Sequence, residues 1–181
     1  MKWIFRVFVF VLGLILLAAG VLLAMGSRPG ANMLSVRVEI NKPPEAVWKY
    51  VADPATPKEW VSWLVEVRQL TPGAQPVGSK EVWVMEDRNN GNARMEILSE
   101  TTRFEPHRRM DVRLSSPGEF SGEVAYLFED LGGGRTALTQ EGTYLFESWF
   151  ARLMAPVVMP SARSKLVGDI ERLKANVEKL P

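Results

Sequence analysis

The chain opens with an uninterrupted apolar stretch and only later changes to short alternating patterns. Val7 to Met25 is a run of 19 residues without a charged or strongly polar side chain. As a helix rising about 1.5 Å per residue it is ~28 Å long, close to the ~30 Å hydrocarbon core of a bilayer. Trp3 lies between Lys2 and Arg6, where interfacial residues are expected. The pattern predicts a transmembrane anchor over residues 1–26.

Two interpretations of this segment stay open. Ala24-Met25-Gly26 is a small-x-small site, so a cleaved signal peptide is the alternative to an anchor. The apolar run is longer than the ~7–15 residues usual in signal peptides, which favours the anchor. Lys2 and Arg6 favour a cytoplasmic N-terminus, and therefore a domain on the extracytoplasmic side. Arg28, after the helix, weakens this bias.

A second region, after the apolar stretch, has the patterning of a water-soluble domain. Residues 27–33 have the composition of a linker, and the domain is predicted over 34–181. Leu34–Ile40 alternates apolar and polar side chains, as a half-buried strand does. Two short helices follow, the first beginning with the prolines of segment 41–45 and the second with the capping box Thr56-Pro-Lys-Glu59.

The segment 63–147 repeats the two-residue period of antiparallel strands, with turn signals at Asn89-Asn-Gly91 and at Pro106. Charged and apolar side chains alternate, which indicates a sheet with one solvated face. A long helix ends the chain, and Pro156 and Pro160 predict a kink or break in its first half. Its second half carries an apolar stripe formed by Ala162, Leu166, Ile170, Leu173, Val177 and Leu180.

Charge and composition exclude several kinds of site. Of 22 basic and 21 acidic residues, only Lys2 and Arg6 lie in the first 26 positions, so the domain is nearly neutral and is not suited to nucleic acid. No cysteine is present, which excludes disulfides and thiolate chemistry. His107, the only histidine, is interpreted as a solvated turn residue rather than a general base. With no histidine partner for it, neither a metal nor a cofactor is predicted.

Carboxylates on the strands are expected to be solvated rather than catalytic. Glu96, Asp111 and Glu123 alternate with apolar neighbours and therefore share the solvated face. On the last helix, Asp169 and Arg172 are spaced for a surface ion pair.

Several segments together resemble one superfamily. Val36–Trp48, Trp60, Gly78, Glu105–Arg109 and Gly134–Thr139 are similar to the START-like superfamily, also called SRPBCC or polyketide cyclase/dehydrase. The resemblance spans 34–180 and implies an α+β helix-grip fold. In that fold a curved antiparallel sheet of about seven strands surrounds the C-terminal helix and leaves a hydrophobic cavity. The superfamily includes lipid carriers, coenzyme Q-binding proteins, aromatic cyclases and plant ligand-binding proteins.

Large adaptable side chains are numerous for one small domain. They either fill an ordinary core or line a cavity for a lipid-like or flat ligand. The candidates for the cavity are Trp60, Trp83, Met95, Met110, Phe120, Tyr126, Tyr144 and Met159.

Three functions fit this pattern. The first is a membrane-tethered protein that binds or transfers a nonpolar small molecule such as a lipid, a quinone or a polyketide-like compound. The second is a cyclase or dehydratase acting in the same cavity, with Tyr126 and Tyr144 as polar groups. The third is a ligand-free scaffold. An apolar cavity would favour the first, an inward charged pair the second, and a filled interior the third.

Overall fold

The computed structural model describes residues 2–28, 30–71, 76–87 and 91–181. The predicted helix-grip fold is confirmed, with seven strands and a long C-terminal helix. The predicted turn at 89–91 falls mainly on residues outside the described ranges. The elements are α1 (Lys2–Gly26), β1 (Met33–Ile40), α2 (Pro44–Ala52), α3 (Pro57–Trp60), β2 (Leu64–Gln69), β3 (Lys80–Asp87), β4 (Ala93–Glu105), β5 (Arg109–Ser116), β6 (Phe120–Gly132), β7 (Arg135–Phe146) and α4 (Trp149–Lys179).

One antiparallel sheet contains all seven strands in the order β1-β7-β6-β5-β4-β3-β2. Among the described strands, β1 and β7 are neighbours in the sheet although they are distant in sequence, and the other neighbours are consecutive. Register shifts occur between Leu64 and Glu66, between Thr101 and Arg103, and after Asp130. Such bulges bend a strand and increase its twist, so they help the sheet to curve around α4.

The second half of α4 is the part of the helix that enters the core. Ile170, Leu173 and Val177 are fully buried, together with Ile40 of β1 and Leu138 of β7. Burial of each such side chain contributes about 1.5–3 kcal/mol. The predicted apolar stripe therefore holds α4 against the sheet through these three residues, whereas Leu180, also predicted in the stripe, follows the end of α4 and is exposed.

Hydrogen bonds fix the same half of α4 to α3. The Arg172 guanidinium donates to the Trp60 carbonyl at 2.8 Å, and the Ser62 amide donates to the Asp169 carboxylate at 3.0 Å. The predicted Asp169–Arg172 pair forms at 3.2 Å. The pair is only partly at the surface, because Asp169 is buried and its carboxylate also accepts the Ser62 amide, whereas the Arg172 side chain stays largely exposed.

Two details of the helices differ from the predictions. Thr56 does not cap α3: its hydroxyl donates to the carbonyls of Tyr50 and Asp53 at 2.5 and 3.0 Å. Glu59 instead accepts the Tyr50 hydroxyl at 2.7 Å, so tertiary partners replace the capping box. Helix α4 is continuous through Pro156 and Pro160, so the break predicted at these prolines is absent.

Helix α1 packs against α4. Within the described residues it is the one helix long and apolar enough to cross a membrane by length and composition. Gly26, in its last turn, lies against α4: a Cβ atom there would be 3.3 Å from the Arg152 carbonyl oxygen. In a regular helix the amide of residue 156 would donate to this carbonyl, but Pro156 has no N–H group.

Candidate functional site: a cavity under the first half of α4

The space between the curved sheet and α4 is not filled. It forms a cavity of about 880 Å³, bounded by the sheet, by the α2–α3 corner and by α4 from Phe150 to Asp169. This volume lies within the range of ~300–1,000 Å³ that is typical of small-molecule sites. Most of the surrounding side chains are apolar.

The structure places the eight candidate residues along the wall of this cavity: Trp60, Trp83, Met95, Met110, Phe120, Tyr126, Tyr144 and Met159. Strand pairing explains part of the set, because residues directly opposite one another face the same side of a sheet. Met95 is opposite Met85, and Met110 is opposite Tyr126. That these residues bind a ligand remains a prediction.

Two glycines make room for Tyr144 on the inner face. A Cβ atom on Gly142 would lie 2.8 Å from the Tyr144 hydroxyl, and one on Gly122 would lie 2.9 Å from its ring. Gly122 is directly opposite Tyr144 across β6 and β7. The phenol therefore extends along β7 over Gly142 and Gly122, and any larger residue at these two positions would occupy the space of the Tyr144 side chain.

Glu81 is a cavity residue that the sequence interpretation missed. It lies in β3 two residues before Trp83 and therefore faces the same side as that cavity residue. Its carboxylate accepts the Trp83 indole N–H at 2.5 Å. Burial raises the pKa of Glu81 above its usual value, and the indole hydrogen bond partly opposes this rise. Glu81, Trp83 and Met85 are at alternate positions of β3, and this spacing is the sequence signal that places Glu81 on the cavity side.

Two further polar atoms along the cavity are buried without a hydrogen-bond partner among the described residues. They are the indole Nε1 of Trp60 and the side-chain Oε1 of Gln140. Gln140 is directly opposite Tyr126 across β6 and β7. Burial raises the pKa of the Tyr126 phenol, so the phenol stays neutral and its hydroxyl can donate a hydrogen bond. A buried unsatisfied polar atom costs about 1–3 kcal/mol. Hydroxyl or carbonyl groups of a bound molecule would satisfy these atoms.

The polar residues assigned to the solvated face lie outside the cavity. His107 is exposed in the β4–β5 turn with φ 63° and contacts Trp48 edge-on, 6.1 Å between ring centres. Glu96 and Glu123 are exposed, and Asp111 pairs with Arg109 at 2.7 Å. In the described ranges no three histidine or acidic side chains gather into a possible metal site.

Comparison with sequence families gives one match across the domain. A family described as polyketide cyclase / dehydrase and lipid transport matches residues 33–178. A comparison with curated proteins found no match.

Solved structures of similar fold come from several bacteria. The Zhui aromatase/cyclase of Streptomyces sp. R1128 has a TM-score of 0.68 at 14% identity, covering 81% of this chain and 93% of its own. A conserved protein from Geobacillus kaustophilus has a TM-score of 0.68 at 12% identity, with 81% and 95% covered. A protein from Thermus thermophilus has a TM-score of 0.64 at 18% identity, with 80% and 96% covered. At these identities the likeness extends to the fold alone.

Proposed function

The chain belongs to the polyketide cyclase/dehydrase and lipid transport family, and from that premise we propose that it is a membrane-tethered protein that binds a nonpolar small molecule. Lipids, quinones and polyketide-like compounds are the candidate classes. Helix α1 would hold the domain, on the extracytoplasmic side, at the bilayer in which such molecules concentrate.

The cavity of about 880 Å³ is the observation that carries this proposal. A scaffold without a ligand would be expected to fill its interior, because protein cores pack closely and voids are destabilising. The mostly apolar wall favours a hydrophobic molecule. The polar atoms of Trp60, Tyr126 and Gln140 favour one that also carries a few oxygen atoms.

Extraction of the purified full chain tests the proposal. The protein is purified in a mild detergent and extracted with organic solvent, and the extract is analysed by mass spectrometry. We expect a lipophile in a fixed molar ratio to protein that resists detergent exchange. The proposal fails if no such molecule is found and if a fatty acid, a short-chain quinone and a sterol all fail to bind.

Glu81 supports a second candidate function, a cyclase or dehydratase. A carboxyl group with a raised pKa inside an apolar cavity is suited to moving a proton to or from a bound carbonyl compound. Incubating the protein with its extracted ligand should then give a new product. Glu81→Gln should abolish that product while ligand affinity stays within about threefold. A ligand recovered unchanged would favour the carrier.

A further inference from the structure

The outer surface of the first half of α4 is strongly apolar. Trp149, Phe150, Val157 and Val158 expose 74%, 58%, 55% and 47% of their surface. The rings of Trp149 and Phe150 are in edge contact, 5.9 Å between centres. Isolated apolar residues on a surface need no explanation, but a contiguous group of this kind marks an interaction site.

Helix geometry divides this part of α4 into neighbouring rows of residues four apart. Arg152 and Pro156 form the row that meets Gly26 of α1. The next row around the helix consists of Trp149, Leu153 and Val157. The row after that borders the cavity and consists of Phe150, Met154 and Val158. This apolar row, which is exposed at Trp149 and Val157 and partly buried at Leu153, therefore lies between α1 and the cavity.

Phe150 and Val158 both line the cavity and are largely exposed, so they lie at its rim. The opposite row of α4, which includes Ala155 and Met159, is buried. The first half of α4 thus separates the cavity from the outside by the width of one helix. On its outer surface the row of Trp149, Leu153 and Val157 is apolar, whereas the neighbouring Arg152 is exposed and donates to the Phe146 carbonyl.

The position of α1 relates this surface to the bilayer. Ala19, Leu22 and Gly26 are less exposed than their neighbours and share one face of α1. Ala19 and Leu22 belong to the apolar run that spans the membrane in the proposed function. The first turns of α4 therefore lie at the level where α1 leaves the hydrocarbon core. Tryptophan and phenylalanine are suited to that depth, and tryptophan is enriched there.

We propose that the α4 outer row, Trp149, Leu153 and Val157, inserts into the bilayer interface and that the cavity rim at Phe150 and Val158 consequently opens toward the lipid. This inference rests on the anchoring role of α1 in the proposed function. Its occupant is the lipid of the membrane that α1 spans, because the row is continuous with the α1 contact. A ligand would then pass between bilayer and cavity without crossing water.

Single cysteines test the bilayer contact directly, since the natural chain has none. Val157→Cys and Val167→Cys in the full chain provide the same substitution at two exposed sites of α4. Each is labelled with an NBD fluorophore and reconstituted into phosphatidylcholine/phosphatidylglycerol vesicles. We expect the label at 157 to emit at shorter wavelength and to be quenched at least threefold more by doxyl-labelled lipid than the label at 167.

Equal and weak quenching at both sites would overturn the inference. A shielded label at 157 that lipid quenchers do not reach would overturn it too, and would indicate a second copy of the chain on this surface. This comparison decides the bilayer contact whether or not the cavity binds a ligand.

A second experiment tests the route. The double variant Trp149→Glu/Val157→Glu changes two residues that do not line the cavity. With anthroyloxy-labelled stearic acid as probe, we expect affinity in detergent micelles within about twofold of the parent and uptake from vesicles at least tenfold slower. Unchanged uptake would contradict the route. Absence of probe binding by the parent in detergent would instead count against the proposed function.

Discussion

At the scale of single residues, Glu81 places an ionisable carboxyl group in an apolar environment. Because burial raises its pKa, folding favours the protonated form, and ionisation above that pKa destabilises the folded state. Glu81 therefore contributes less stability as pH rises. Glu81→Gln removes the ionisation and retains an acceptor for the Trp83 indole.

We expect Glu81→Gln to melt at a higher temperature than the parent at pH 8. The difference should shrink as pH falls toward 4.5, the usual pKa of glutamate, where the parent carboxyl is protonated in the folded state. Thermal melts at both pH values measure this, with exposed Glu123→Gln as control. A difference that grows on acidification would show that the sign is wrong.

The glycines offer a matched pair of substitutions. Gly142→Ala places a Cβ atom 2.8–3.0 Å from three atoms of the Tyr144 side chain, and overpacking of this kind costs about 1–3 kcal/mol. Gly168→Ala in α4 meets no described atom within 4 Å and should stabilise the helix by about 0.5–1 kcal/mol. Denaturant unfolding should show opposite signs for the two. Equal effects would mean that Tyr144 does not lie over Gly142.

Strand alternation places six of the eight candidates on the cavity side of the sheet, whereas Trp60 and Met159 lie on helices α3 and α4. The same alternation places Glu81 in phase with Trp83, although charged strand residues are usually expected on the solvated face. The unpartnered atoms of Trp60 and Gln140 were not predictable, since they depend on how α3 and β7 pack against distant elements.

At the scale of elements, the apolar stripe of α4 makes its second half essential for the fold. Leu173→Asp would place a carboxylate among fully buried side chains and should destabilise the domain by several kcal/mol. Val167→Asp, at an exposed site on the same helix, should change stability by less than about 0.5 kcal/mol. Equal melting temperatures for the two variants would contradict the packing described here.

The order and type of the elements followed from local patterns, whereas their termini and interruptions depended on tertiary contacts. Thr56 found carbonyl acceptors in α2 and the following turn, which no local capping rule includes. Pro156 and Pro160 did not break α4. The packing of α1 against α4 at Gly26 and Arg152 had no signal in the sequence.

At the scale of the whole molecule, the proposed function depends on the apolar N-terminal helix as a membrane anchor. Alkaline carbonate washing of isolated membranes should leave the intact chain in the membrane pellet, because a helix of this length and composition is expected to stay in the bilayer. Release of the intact chain would contradict anchoring. A product beginning at Ser27 would establish the signal-peptide alternative.

The central claim is that the cavity under α4 holds a nonpolar molecule. Replacing either of two alanines of α4 with tryptophan tests this claim. Ala162 lines the cavity, while Ala175 is exposed on the other side of the helix. The measurement is the affinity of Ala162→Trp and Ala175→Trp for a fatty acid, a quinone and a sterol, by titration calorimetry in detergent. Ala162→Trp should bind its best ligand at least tenfold more weakly than the parent, and Ala175→Trp within twofold. Equal affinities of the two folded variants would contradict the claim.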